Sequence, residues 1–285
     1  MKHLARKSLF TVPFADLLHT SGRAETSDRP GETEADSMSH NPYLRRTVVR
    51  HTVPSRHLPE GYRSVRVYLP PGYRETVSYP VVYCQDGEQF FNYGRIATAA
   101  QRLILDEDWE PFVVVGVDVN LENRTAEYRP GGFRHAAYLR FFAEELLPDI
   151  EKHFSVRREA KDRVLAGDSL GAAASLSLAL TYPDLFCRVL SLSGAFFAES
   201  LEQARSYFSL RWLSVWMIVG LQETSFASGE GTIDIVAMNR SMKKILEERN
   251  AKFIYEEKDG EHKWGFWQGE LPRALSFFLG PSPSL

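Results

Sequence analysis

A serine hydroxyl attacks an acyl carbon only when a base removes its proton and the surrounding backbone turns sharply enough to expose the oxygen. Gly167-Asp168-Ser169-Leu170-Gly171 has the residues for such a turn, with glycines two before and two after the serine. Val164-Leu165-Ala166 ahead of it reads as a buried strand, and the small-residue run from Ala172 to Leu180 behind it reads as a helix. A tight strand-to-helix turn crowds two backbones, which glycine relieves. It also leaves Ser169 at a helix N-terminus, where partial positive charge favours an anion. The other reading of the same residues is a glycine-rich turn that merely packs a helix on a strand, and the remaining partners decide between the two.

A base and an orienting acid should follow the serine, each on a loop at the carboxyl end of a later strand. Of the eight histidines, His262 alone lies beyond Ser169. It stands in Asp259-Gly260-Glu261-His262-Lys263-Trp264, between an expected strand over 252–256 and an expected last helix over 271–279. Glu223, just past the apolar run Val215 to Val219, is the best-placed acid. Asp234 is the second candidate, although its position ahead of a helical pattern suits an N-cap. A serine-histidine dyad without a strong acid is the remaining option. The oxyanion needs two N–H donors, one from Leu170 and one from Gly87 or Glu88 in the loop Gln85-Asp86-Gly87-Glu88.

The elements that must hold these groups alternate. Arg46 to Arg50 and Ser64 to Leu69 read as antiparallel edge strands. Continuous apolar runs at 80–83, 112–117, 163–166, 188–192 and 215–219 read as strands buried on both faces. Between them, Tyr138, Phe142, Leu146 and Ile150 mark a helix from 137 to 154, and Ile235, Met238, Met242, Ile245 and Leu246 mark another from 235 to 249. Alternation of this kind predicts an α/β fold with a mostly parallel sheet of about eight strands and helices on both faces. The segment from Thr224 to Thr232 reads equally as a lid or a long connection.

Composition removes several functional classes. With 34 Lys+Arg against 37 Asp+Glu the 285-residue chain has a formal charge of −3, and no basic run offers a nucleic-acid or anionic-membrane surface. No apolar stretch approaches the roughly 18 residues of a membrane span. The two cysteines, Cys84 and Cys187, support neither a disulfide framework nor a four-ligand zinc site, and a reducing, cytoplasmic setting is expected with no metal and no cofactor. Residues 21–40 carry no aromatic or branched aliphatic side chain. A flexible tail over 1–40 and one folded domain over 41–285 are therefore expected.

Taken in order, the motifs resemble the esterase D and enterochelin esterase group of α/β-hydrolases. The resemblance runs from about residue 42 to 280 and is carried by several motifs besides the elbow and Gly220-Leu221-Gln222-Glu223. These are Val81-Val82-Tyr83-Cys84-Gln85-Asp86-Gly87-Glu88, Arg124-Thr125-Ala126-Glu127-Tyr128, Glu145-Leu146-Leu147-Pro148 and Gly260-Glu261-His262. It implies acyl transfer through Ser169, His262 and Glu223, a small-molecule ester substrate, and a monomer or homodimer. The Asp-Gly-Glu turn is similar to that of siderophore esterases, which implies a catecholate trilactone of the enterobactin or bacillibactin type, free or iron-loaded. Feruloyl and acetyl-xylan esterases and S-formylglutathione hydrolases more often carry a His-Gly-Gly turn there. They are the alternative enzymes, and a non-catalytic binding protein on the same fold is the alternative of another class. An anionic ferric catecholate calls for cations and flat walls, for which Arg124, Arg129, Trp264, Trp267, Phe196 and Phe197 are the candidates. The plainer expectation is that Arg124 pairs with Glu127 and that the aromatics belong to the core.

Overall fold

The computed structural model describes residues 46–228 and 231–281. The tail expected over 1–40, and residues 229 and 230 of the segment that reads as lid or connection, lie outside the described residues. Eight strands form one sheet in the order β1-β2-β4-β3-β5-β6-β7-β10. The antiparallel edge consists of β1 (Thr47–Pro54) and β2 (Tyr62–Leu69), with His51 opposite Val65, and β2 runs antiparallel to β4 as well. Parallel pairing then links β4 (Val113–Val117), β3 (Val81–Cys84), β5 (Arg163–Asp168), β6 (Arg188–Leu192), β7 (Ser214–Gly220) and β10 (Lys252–Lys258). The expected α/β fold is the observed one.

The central strands are apolar throughout because each residue in turn serves a different face. Val81 and Tyr83 join the core on one side of the sheet, while Val82 and Cys84 join the core on the other. α1 (Gly87–Asn92), α2 (Ile96–Asp106) and α8 (Trp264–Leu279) contribute to the second core, through Phe90, Leu103 and Leu275 among others. α3 (Arg124–Tyr128), α5 (Leu170–Thr181), α6 (Ala198–Arg205) and α7 (Ile235–Glu248) contribute to the first. So does α4, a continuous helix running His135–Arg140, Phe141–Leu146 and Leu147–His153, whose middle segment is a π-helical turn.

Two of these helices have a form their residues explain. All residues of α5 from Gly171 to Leu180 are buried, and its alanines and serines let it lie close to the sheet with neighbours on every side. In α4 the buried Tyr138, Phe142, Leu146 and Ile150 recur every fourth residue. On a regular α-helix that spacing drifts by about 40° per step. The wide π turn absorbs the drift, and Pro148, which lacks the N–H that would bond to the Glu144 carbonyl, favours an irregular ladder there. The segment from 224 to 232 holds all but the last residue of two short paired strands, β8 (Phe226–Ser228) with β9 (Gly231–Ile233), and the last helix begins seven residues earlier than its pattern suggests.

Candidate active site

The elbow after β5 is strained where a nucleophile's turn should be. Ser169 has φ 51° and ψ −121°, a conformation that costs a non-glycine residue free energy and is held by the surrounding structure. Its N–H donates to the Leu192 carbonyl and its carbonyl accepts from the Ala195 N–H, both at 2.9 Å, so the turn is tied to the end of β6. A Cβ on Gly167 would stand 2.2 Å from the Gly171 carbonyl, which explains the glycine there. Ser169 and His262 line the same cavity, of about 600 Å³, together with Leu170, Gln89, Arg124, Arg129, Asp168, Phe197, Phe226, Trp264 and Trp267.

His262 is held by one hydrogen bond and two aromatic rings. Its Nδ1–H donates to Glu223 Oε2 at 2.6 Å. The Phe226 ring lies 4.1 Å from the imidazole, and Trp267 meets it edge-on at 4.9 Å. That tautomer leaves Nε2 with a lone pair for a proton. Glu223 is 2% exposed and held in turn: Oε1 accepts from the Ser193 hydroxyl and from the Gly220 N–H, each at 2.7 Å. Gly220 is required for this fold-back, since a Cβ there would sit 2.6 Å from Glu223 Oε1. Trp267 donates its indole N–H to Ser193 Oγ at 2.8 Å. Ser193 thus joins acid to aromatic wall, a role its sequence position did not reveal. Asp234 is elsewhere engaged, capping α7 by accepting from the Ala237 N–H at 2.8 Å.

The other wall carries an arrangement the sequence reading did not foresee. Arg124 donates from Nε and Nη2 to the two oxygens of Asp86, each at 2.8 Å, so its partner is Asp86 and not Glu127. Glu127 instead accepts from Arg63 of β2 at 3.0 Å, and burial still pushes its carboxyl above the usual range. Burial alone would lower the Arg124 guanidinium, but Asp86 carries it upward. Asp168, 4% exposed and immediately before Ser169, has an oxygen, Oδ1, with no partner. Burial, reinforced by the nearby Asp86 charge and opposed by Arg124, pushes Asp168 up to about 7.

The remaining expected binding residues divide. Arg129 places its guanidinium 4.2 Å over the Phe197 ring and 3.8 Å from Glu199, within the cavity wall. Trp264 and Trp267 line the cavity, whereas Phe196 is 1% exposed, packed in the core and absent from the lining. Adjacent residues therefore serve opposite purposes, because the backbone is extended at Phe197, with φ −69° and ψ 177°, and successive side chains of an extended chain point to opposite sides. Leu170 opens α5 in the cavity wall. Gly87 and Glu88 open α1 outside the lining; Gly87 is buried, and Glu88 is exposed and reaches Arg66 at 3.2 Å. Among the described residues no helix is long and apolar enough to cross a membrane.

A mostly parallel eight-stranded sheet that presents a serine on a strained turn after its fifth strand defines an α/β-hydrolase. The chain belongs to the esterase family, whose model matches residues 56–278, and is a carboxylic ester hydrolase. It is 33% identical over 215 residues to the YjcH protein of Bacillus subtilis (strain 168), covering 75% of this chain and 90% of that one. Its fold is similar to that of a ferulic acid esterase, with a TM-score of 0.70, 19% identity and coverage of 82% and 98% of the two chains. It is similar as well to the enterobactin esterase FES from Shigella flexneri, with a TM-score of 0.70, 21% identity and coverage of 81% and 59%.

Proposed function

We propose that residues 41–285 form one catalytic domain that hydrolyses esters bearing flat aromatic groups through an acyl-enzyme on Ser169. The observation that carries this reading is the 2.6 Å bond from His262 to Glu223 beside the strained serine of the same cavity. His262 Nε2 takes the hydroxyl proton as Ser169 Oγ bonds to the acyl carbon, and Glu223 stabilises the imidazolium. The oxyanion accepts from the Leu170 N–H and from an N–H at the start of α1, at Gly87 or Glu88. His262 then returns its proton to the leaving alcohol, and water, deprotonated by the same nitrogen, releases the acid and restores Ser169.

The substrate class we assign is a catecholate trilactone, acted on in the cytoplasm. Trp264, Trp267 and Phe197 offer flat walls, and Arg129 and Arg124 offer cations at the cavity. A cinnamoyl ester is the second reading, favoured by one observation: the charge of Arg124 is already matched by Asp86, which leaves less for an anionic ligand. Hydrolysis of apo and ferric enterobactin should be compared with that of methyl ferulate and p-nitrophenyl acetate, using wild type and Ser169→Ala. Preference for the trilactone, lost in the variant, is the expected result. Turnover confined to methyl ferulate would replace the substrate, and turnover unaffected by Ser169→Ala would overturn the mechanism.

A further inference from the structure

Away from the catalytic cavity, the described residues hold one cluster of nitrogen and oxygen donors with the spacing of a metal site, at His51, Asp149 and His153. His51 lies on the edge strand β1, on the same face as the wholly buried Val53 two residues on. Asp149 and His153 lie four residues apart on one face of α4, in its last turns. His51 Nε2 is 2.5 Å from Asp149 Oδ2, and His153 Nδ1 is 3.4 Å from the same oxygen. The two imidazoles are 4.8 Å apart, and Phe154 meets the His51 ring edge-on at 5.7 Å, restricting its rotation.

We propose that His51, Asp149 and His153 bind one divalent transition-metal ion of the zinc class, which joins the edge strand β1 to the end of α4. Donor type selects the ion, since two imidazoles and one carboxylate suit zinc, nickel or copper better than magnesium or calcium. One ligand atom from each residue already lies within 4.8 Å of the others. An ion entering among them replaces the His51–Asp149 contact, with water completing its coordination. The His153 ring is held against the last turn of α4, with its Nδ1 2.9 Å from the Asp149 carbonyl. The carboxyl end of a helix also favours a cation. This end of α4 leads into the amino end of β5, opposite the sheet edge that carries Ser169, so the ion's role is structural.

Calorimetric titration of the tag-free full-length chain with Zn²⁺ tests the site, alongside titration with Mg²⁺ and with His51→Ala and His153→Ala. One saturable equivalent of Zn²⁺, no Mg²⁺ binding and a dissociation constant at least about tenfold weaker in each variant are expected. Wild-type Tm should rise with added Zn²⁺ while ester turnover stays unchanged. The His153 side chain is 42% exposed, so that variant should fold even if His51→Ala does not. Absence of saturable binding up to about millimolar Zn²⁺, or binding that survives His153→Ala, would overturn the site.

Discussion

Two carboxyl groups flank the cavity at almost the same depth, Glu223 at 2% and Asp168 at 4% exposure, and their surroundings treat them oppositely. Glu223 receives a hydroxyl, a backbone N–H and an imidazole N–H, so donors occupy both oxygens. Asp168 keeps one oxygen unpartnered and shares Arg124 with a second carboxylate, Asp86. Burial alone therefore does not decide what a carboxyl does. Donors built around the group do, and they convert one buried carboxyl into a fixed anchor for the His262 ring while the other is driven toward its neutral form.

Substitutions should separate the two. Glu223→Gln removes the charge that holds and stabilises His262 and should lower kcat for p-nitrophenyl acetate by about 10³- to 10⁴-fold. Ser193→Ala takes away one of the Glu223 donors and the acceptor for Trp267; about a tenfold loss in kcat at unchanged KM is expected. For Asp168→Asn the signature lies in stability. The folded-state value of Asp168 is raised from 3.8 to about 7, so its stabilising contribution is complete below pH 3.8 and lost as pH rises through about 7. Denaturant unfolding at pH 5 and pH 8 should show the asparagine variant gaining on wild type by about 1 to 3 kcal/mol at the higher pH, and an equal gap at both would contradict the assignment. The smallest effect belongs to Asp234: Asp234→Ala should cost about 1 kcal/mol through its lost cap and leave kcat unchanged.

What could be read from the residues alone follows from how local each signal is. The elbow is five contiguous residues, the buried strands are contiguous apolar runs, and chain order singles out His262 without knowledge of distance, while it leaves both Glu223 and Asp234 as candidate partners. Pairing across the sheet is another matter. Glu127 is three residues from Arg124, yet its partner is Arg63, 64 positions away, and Arg124 reaches 38 positions back to Asp86. Ser193 and His51 were invisible for the same reason. Phe196 and Phe197 look alike in sequence, and only the extended backbone between sheet and helix sends one to the core and the other to the cavity.

The π turn of α4 also sets the rotational phase between the two ends of one helix. At the beginning, His135 bonds to the Glu127 carbonyl and to Ser177, both at 2.8 Å, beneath the elements that shape the cavity. At the other end Asp149 faces β1. Deleting one residue from Phe141–Leu146 would let the π turn close to a regular α-helical turn and keep the two ends in phase, whereas deleting one from His135–Arg140 would turn the second half by about 100° relative to the first. Evolutionary insertions and deletions in this helix are thereby confined to the wide turn: a one-residue change ahead of it would swing Asp149 and His153 out of reach of His51 and expose Ile150 in their place.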